Sequence, residues 1–246
     1  MLNVVIVPTY NERENIRPLV EQLLSLPLEV HVVVVDDNSP DRTGEIADEL
    51  AARNSHVRVL HRSGKLGLGT AYIAGFKTAL SMGADRILTM DADFSHNPRY
   101  IPDLINRSRD ADLVIGSRYV HGGGTRYCTL PRKVLSWGSN AFAKMVLWLP
   151  AMDCTAGFRC YRREVLESID LDTIFSDGYS FLIEMLYRVQ RQGWRVAEVP
   201  IIFENRRRGA SKISRQEIIK AMYTVIRLGL ERLAGKTPAP ITSQQR

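Results

Sequence analysis

Arg86-Ile87-Leu88-Thr89-Met90-Asp91-Ala92-Asp93 decides how this chain is read. Its first five residues form a short, mostly apolar run, the composition of a buried strand. Its last three residues are a D-x-D. Alternate side chains on an extended segment face the same side, so the Asp91 and Asp93 carboxylates aim into one site. A hard divalent cation such as Mg²⁺ or Mn²⁺ takes such oxygens, with substrate phosphates completing its shell. A solvated turn with helix-capping aspartates would look the same in isolation, so the neighbours decide.

Upstream, Leu2 to Val7 is another apolar strand, followed by the polar break Thr9-Tyr10-Asn11-Glu12 and a helical pattern over 13–25. Val30 to Val35 is a strand ending in Asp36-Asp37-Asn38-Ser39-Pro40, then 42–53 reads helical and His56 to His61 extended. Arg62-Ser63-Gly64-Lys65-Leu66-Gly67-Leu68-Gly69 is a glycine-rich turn opening a helix to Met82. Downstream, a helix follows Pro98 and a strand spans 111–117. This alternation predicts an α/β fold: a doubly wound, mostly parallel, Rossmann-like sheet flanked by helices in a single domain, 1–234, with a flexible tail over 235–246. Ligands of such sheets bind beyond the carboxyl ends of the strands. Thr9–Glu12, Asp36–Asn38, Lys65 and Asp91–Asp93 are therefore expected to converge on one crevice.

The second half is less regular. Gly122-Gly123-Gly124 marks a loop, and 132–149 reads as an almost uniformly apolar helix stopped by Pro150. Asp153 to Tyr161 is a polar-to-aromatic segment, 178–191 helical, 194–204 extended and 214–234 helical. Trp137, Ala141, Lys144 and Trp148 fall on one stripe, which suits a membrane headgroup interface; a buried core helix is the competing reading. Helix 214–234 gathers Ile218, Met222, Val225, Ile226 and Leu233 on one face, a sector wide enough to pack on the sheet and still meet lipid or a membrane-embedded partner protein.

Composition removes several classes. With 246 residues, 45% hydrophobic and 24% charged, the chain is globular rather than disordered. No uncharged run exceeds eleven residues, the length of Leu66 to Phe76, against about 20 for a spanning helix. No signal peptide is visible, and three cysteines give neither a disulfide framework nor a C-x-x-C pair. A reducing, cytoplasmic setting follows. Residues 206–246 hold ten Lys/Arg against two acidic residues, whereas the first 205 hold 23 against 25. The basic end suits anionic lipid at the cytoplasmic face of a membrane, and no nucleic-acid partner is expected.

Asp37 at a strand end suits a base or ribose, with Asp41 as cap of the next helix. The glycine-rich turn resembles phosphate-cradling loops but matches neither the Walker pattern nor the dinucleotide fingerprint. Arg118 and Arg132 suit a phosphorylated ligand, a pair of structural salt bridges being the alternative. The five histidines lack metal-protease spacing and read as structural. No G-x-S-x-G or Cys/His arrangement argues for a covalent hydrolase.

Together Pro8-Thr9-Tyr10-Asn11-Glu12, Val35-Asp36-Asp37, Gly64 to Gly69 and Asp91-Ala92-Asp93 resemble the family 2 glycosyltransferases of the GT-A fold. Gly116-Ser117-Arg118, Asp153-x-Thr155-x-Gly157-Phe158-Arg159, Asp177-Gly178-Tyr179-Ser180-Phe181 and Arg206 ahead of Ser211-Lys212 narrow the likeness to polyprenyl (dolichyl) phosphate mannose synthases. The resemblance implies inverting transfer of mannose from GDP-mannose to a polyprenyl monophosphate, with Mg²⁺ or Mn²⁺. It implies that Pro8, Tyr10, Glu12, Val35 and Asp37 hold the nucleoside, with Lys65 also on the nucleotide-sugar side. Asp91 and Ala92 would lie along the donor, and Asp93 would bind the metal. Arg118, Arg132 and Ser136 would grip the acceptor phosphate, while Arg206 and Lys212 would close over the diphosphate. Ser95 stands where many relatives carry a Gln near the metal, and water can replace the missing oxygen.

The chemistry agrees with these residues. A phosphate monoester is largely dianionic at neutral pH, its second pKa being about 6, so it needs no strong base. Three other readings remain at this point: a glucosyl transfer to the same lipid, a nucleotidyltransferase, and a non-enzymatic nucleotide-sugar sensor or membrane scaffold. A nucleotidyltransferase would carry its glycine loop after the first strand, where this chain has Thr9-Tyr10-Asn11-Glu12.

Overall fold

The computed structural model describes residues 1–204 and 215–234. In chain order the elements are β1 (Asn3–Thr9), α1 (Arg13–Leu24), β2 (His31–Asp36), α2 (Thr43–Arg53), β3 (Val57–His61), α3 (Leu68–Ser81), β4 (Arg86–Thr89) and α4 (Ile101–Arg107). There follow β5 (Leu113–Ser117), β6 (Gly124–Arg126), α5 (Leu130–Leu147), β7 (Arg159–Arg162), α6 (Arg163–Glu167), α7 (Tyr179–Arg191), β8 (Val196–Pro200), β9 (Ile202–Glu204) and α8 (Arg215–Leu233).

Seven strands form one sheet in the order β3-β2-β1-β4-β7-β5-β8. All neighbours run parallel except β7, which is antiparallel to both β4 and β5. The apolar runs explain the parallel part. Val4 and Ile6 face one core with α3, α7 and the buried side of α5, while Val5 and Val7 face the other with α1, α2 and α4. A strand buried on both faces has no polar alternation to show. Each such side chain contributes about 1.5–3 kcal/mol on burial.

The order reverses at β1. From there β2 and β3 lie to one side and β4 to the other, so the crevice beyond the carboxyl ends of β1 and β4 is the topological switch point. Thr9–Glu12 and Asp91–Asp93 border it.

The structure corrects the sequence reading in the second half. Asp153 to Tyr161, to which the sequence reading assigns no element beyond a polar-to-aromatic segment, enters the centre of the sheet at its end as β7. β7 carries an arginine at each end. Arg159 is 0% exposed, and its guanidinium donates to the carbonyls of Ala156 (2.8 Å), Leu182 (2.8 Å) and Cys154 (2.9 Å). Arg162 pairs with Asp112 at 3.4 Å. The charges that hide the strand from a hydrophobicity pattern are thus satisfied by its neighbours. The helix expected over 132–149 runs from Leu130 to Leu147 and stops at Trp148, in a left-handed conformation (φ 54°), before Pro150 is reached. It is not a core helix: only Asn140, Ala143 and Leu147 are buried. α8 packs on α7 and α5 through Val225 and Leu228, rather than on the sheet.

Candidate active site

One cavity of about 840 Å³ opens at the switch point. Its lining includes Pro8, Tyr10, Glu12, Asp37, Lys65, Asp91, Ala92, Asp93, Arg118, Arg132 and Ser136, so eleven expected residues meet there. Val35 does not: its side chain is fully buried in the core shared with α3, because along β2 it alternates with Asp36. Ser95 does not line the cavity either; it is buried, and its hydroxyl has no hydrogen-bond partner. The expected Ser95 metal contact is therefore not made by the side chain as placed. Arg206 and Lys212 lie outside the described residues.

The β1 side is built from polar residues that end strands. The Lys65 ammonium lies 4.5 Å from the centre of the Tyr10 ring, a cation–π contact that joins the glycine-rich turn to the β1 turn. Asp37 pairs with Arg62 at 2.7 Å and accepts the Leu66 N–H at 3.3 Å. Burial pushes the Asp37 carboxyl above its ordinary range, against the opposing pull of Arg62. Asp41 accepts the Thr43 N–H at 3.1 Å, but it stands one residue before the cap position of α2, which Arg42 occupies in a left-handed conformation (φ 72°) without a side-chain cap bond.

The glycine-rich turn holds a carboxylate of the chain itself. The Gly69 N–H, in the first turn of α3, donates to Asp177 Oδ1 at 2.8 Å. Gly67 has φ +103°, and a Cβ there would lie 2.3 Å from Asp177 Oδ2. The glycine therefore serves close approach of Asp177, and this helix end is not an open phosphate cradle.

At the end of β4, Phe94 takes φ +60°, an uncommon conformation for an aromatic residue. The bend returns the Ser95 N–H to Asp93 Oδ1 at 3.0 Å. Two further groups, both missed at the sequence level, attend Asp91. The buried Tyr72 hydroxyl lies 3.4 Å from Asp91 Oδ1. His96, 3% exposed, accepts the Asp91 N–H on Nδ1 at 3.2 Å and stacks on Phe158 with ring centres 5.1 Å apart. Both line the cavity, so the histidine that the sequence reads as structural stands at the site, holding the Asp91 backbone. Burial first, then the Asp91 charge, pushes the Tyr72 hydroxyl well above its ordinary value, so it stays a neutral donor. The spacing D-x-D-x-x-H was the only trace of His96. Tyr72 left none, because it reads as one more apolar position of α3.

Across the cavity, Arg118 follows β5. Its Nε and Nη2 bond the two oxygens of Asp153 at 2.7 Å each, and Nη2 reaches Thr155 Oγ1 at 2.9 Å. Asp153 is itself held, its N–H donating to Glu198 at 3.0 Å. Burial works against the Arg118 charge, but the hydrogen bonds and charge of Asp153 outweigh it and raise the guanidinium pKa. The salt-bridge alternative is thus met in Arg118, which still borders the cavity; among the described residues its Nη1 has no hydrogen bond. Ser136 on α5 accepts from the Tyr119 hydroxyl at 2.8 Å. Beyond it the lining turns apolar with Leu135, Trp137, Ile218 and Ala221, toward the junction of α5 and α8.

The donor set at the β4 end is two carboxylates on one short turn, with no sulfur ligand. Such oxygens fit a hard divalent cation, and the one nearby imidazole nitrogen described above, Nδ1 of His96, is already engaged.

A mostly parallel sheet with a carboxylate pair at its switch point and a cation-lined wall opposite is the arrangement of a GT-A glycosyltransferase. The chain belongs to the family 2 glycosyl transferases, whose model matches residues 4–170. It is 47% identical over 228 residues to a polyprenol monophosphomannose synthase of Mycolicibacterium smegmatis, covering 92% of this chain and 86% of that one. It is likewise 47% identical over 225 residues to an undecaprenyl-phosphate mannosyltransferase of Micrococcus luteus, covering 92% and 93%. Among solved structures, glucosyl-3-phosphoglycerate synthase from Mycobacterium tuberculosis, in complex with Mn²⁺, UDP and glucosyl-3-phosphoglycerate, superimposes with a TM-score of 0.63 at 20% identity, over 97% of this chain and 81% of that one. That likeness speaks for the fold.

Proposed function

We propose that the protein transfers mannose from GDP-mannose to a polyprenyl monophosphate, with inversion at the anomeric carbon, releasing GDP. The observation that carries this reading is the continuity of one cavity: a nucleotide-like wall at β1 and β2, carboxylates at β4, cations at β5 and α5, and an apolar mouth at α5 and α8. The two mannosyltransferase relatives, each matched over more than nine-tenths of this chain, supply the sugar and the lipid class.

In this reading Tyr10, Glu12 and Asp37 hold the nucleoside, and Lys65 sits on the diphosphate side. Asp91 and Asp93 would hold Mg²⁺ or Mn²⁺, which when bound neutralises charge developing on the leaving diphosphate. Arg118 offers Nη1 to the acceptor phosphate, with Arg132 and Ser136 beside it. A non-bridging oxygen of that phosphate forms the new bond to the anomeric carbon as the bond to the diphosphate oxygen breaks, and the leaving group carries away the electron pair. The acceptor is already ionised at neutral pH, so no proton needs removing; the residues supply position and charge complementarity. Tyr72 and His96 keep Asp91 oriented.

The lipid acceptor asks for a membrane, yet no helix among the described residues is long and apolar enough to cross one. Instead Trp137 (65% exposed) and Met145 on α5, and Trp148 (70%) just past its end, stand with Ile219, Met222, Tyr223, Ile226 and Leu230 on α8 at the surface. This apolar face borders the cavity mouth and suits peripheral docking on the cytoplasmic face of a membrane, directly or through a membrane-embedded partner.

The test offers GDP-mannose, GDP-glucose and UDP-glucose, each radiolabelled, with polyprenyl monophosphate, followed by solvent extraction. Label entering the lipid phase only from GDP-mannose is the expected result. Preferential transfer from UDP-glucose would replace the proposal with the glucosyl reading.

A further inference from the structure

At the opposite end of the sheet from the cavity, three side chains converge that the transfer reaction does not use. Glu29 precedes β2, His31 begins it, and His56 immediately precedes β3. Because Val32 pairs with Val57 in the parallel register, His31 and His56 stand side by side on neighbouring strands. Their rings stack with centres 4.3 Å apart and planes at 29°. Glu29 Oε1 lies 3.6 Å from His31 Nε2 and 3.9 Å from His56 Nε2. All three ligand atoms fall within 4.8 Å of one another.

The backbone under this cluster is fixed. The Glu29 carbonyl accepts from Asn3 Nδ2 at 3.0 Å. The His56 carbonyl accepts the Val32 N–H at 2.8 Å, and its own N–H donates to Asn54 Oδ1 at 2.9 Å. The two imidazoles are thus held at one carboxylate without being bonded to it, at separations longer than a hydrogen bond. Protonating both rings would set two positive charges face to face over a single negative one. A divalent cation removes that conflict: each neutral imidazole gives a lone pair and the carboxylate a charge.

We infer that Glu29, His31 and His56 form a second metal site, distinct from the catalytic carboxylates, for a borderline transition cation of the Zn²⁺ class. Two nitrogens and one oxygen suit Zn²⁺, Ni²⁺, Co²⁺ or Cu²⁺ and not Mg²⁺. Zinc–nitrogen bonds of about 2.0–2.1 Å place tetrahedral neighbours roughly 3.4 Å apart; the two Glu29–histidine separations, 3.6 and 3.9 Å, are within about half an ångström of that, and the stacked rings must turn from their near-parallel setting for both Nε2 lone pairs to meet one ion. Solvent completes the shell, since Glu29 is exposed and His56 only half-buried. β2 is six residues long, which puts the site about 17 Å from the Asp37 end of the same strand. A metal there plays no part in sugar transfer. It clips the edge strand β3 to β2, at the margin of the sheet where strands open most readily.

The experiment uses the full chain without added histidines, stripped with EDTA and returned to millimolar Mg²⁺ so that the carboxylate pair at β4 is occupied. Calorimetric titration with ZnCl₂ is expected to show one equivalent bound, with affinity lowered at least tenfold in His31→Gln and again in His56→Gln. A hundredfold excess of Zn²⁺ over its Kd should raise the Tm by about 5–10 °C in the parent chain and not in the variants. One equivalent of Cu²⁺ should give an electron paramagnetic resonance spectrum with two imidazole nitrogens, a count that needs no variant to fold. Equal Zn²⁺ affinity in parent and variants, a spectrum with fewer than two nitrogens, or a Tm that follows pH but not Zn²⁺ would each overturn the site.

Discussion

Removing the Asp153 carboxylate should unfold the wall of the cavity before it alters the chemistry. Asp153 is 0% exposed on its side chain and Arg118 14%, and the carboxylate accepts three Arg118 N–H groups, from the backbone N at 3.0 Å and from Nε and Nη2 at 2.7 Å. Asp153→Ala leaves a buried guanidinium without its counter-charge, a change that costs about 3–5 kcal/mol. For a chain of this size each kcal/mol moves Tm by about 2–4 °C, so the melting temperature should fall by roughly 6–20 °C. Arg118→Ala should be similarly damaging, since it strands Asp153 instead, and lost transfer in that variant would say little about catalysis. The double substitution Arg118→Met/Asp153→Leu separates the two effects. Replacing a buried ion pair by apolar groups of like size is close to neutral for stability, so Tm should recover most of the loss. Acceptor kcat/KM should nonetheless stay down about ten- to a hundredfold, the worth of one charge-assisted contact of roughly 1.5–3 kcal/mol, with GDP-mannose binding unchanged by calorimetry. A thermal melt of Asp153→Ala within 2 °C of the parent, or full acceptor kinetics in the double variant, would refute the reasoning.

Tyr72→Phe removes only the hydroxyl beside Asp91; turnover should fall about two- to tenfold, as for one neutral hydrogen bond, with Tm held, and an unchanged kcat would remove Tyr72 from the site. Asp112 is bonded by Arg195, whose hydrogen bonds and charge, with that of Arg162, outweigh burial and hold its carboxyl below 3.8. A carboxyl lowered in the folded state stabilises above its unfolded pKa and loses that contribution as pH falls through the folded value. Asp112→Asn should therefore be less stable than the parent at neutral pH by roughly 1.5–3 kcal/mol, the gap closing below pH 3.8; urea melts across pH check it, and a constant gap would contradict the ion pairing. Met145→Ser and Leu230→Ser, both at exposed positions, should each weaken flotation with anionic vesicles without lowering Tm, whereas unchanged flotation would reject the α5–α8 face as the docking surface.

The parallel half of the fold was legible because its strands are buried on both faces: Val4 to Val7 and Val32 to Val35 are all fully buried, and an unbroken apolar run is what such strands require. β7 was not legible. Its arginines are satisfied by carbonyls and carboxylates contributed from elsewhere in the chain, Leu182 and Asp112 among them, and no local pattern announces such partners. The site divides along the same line. Tyr10, Glu12, Asp37, Asp91 and Asp93 are polar residues at strand ends, visible in one dimension. Val35 was misplaced by the strand's own alternation, which turns its side chain into the core. The Arg118–Asp153 pair, Tyr72 on Asp91, and Asp177 at the start of α3 each join residues that meet only after the helices pack.

The account rests on the carboxylates that end β4. The most direct test measures transfer of labelled mannose from GDP-mannose to polyprenyl monophosphate, at saturating Mg²⁺ or Mn²⁺, by the parent chain and by Asp93→Asn side by side, with circular dichroism melts of both. The account predicts labelled lipid from the parent, a loss of a hundredfold or more in the variant, about 2.7 kcal/mol or more of transition-state stabilisation, and closely matching melts. Equal transfer by the two proteins would contradict it.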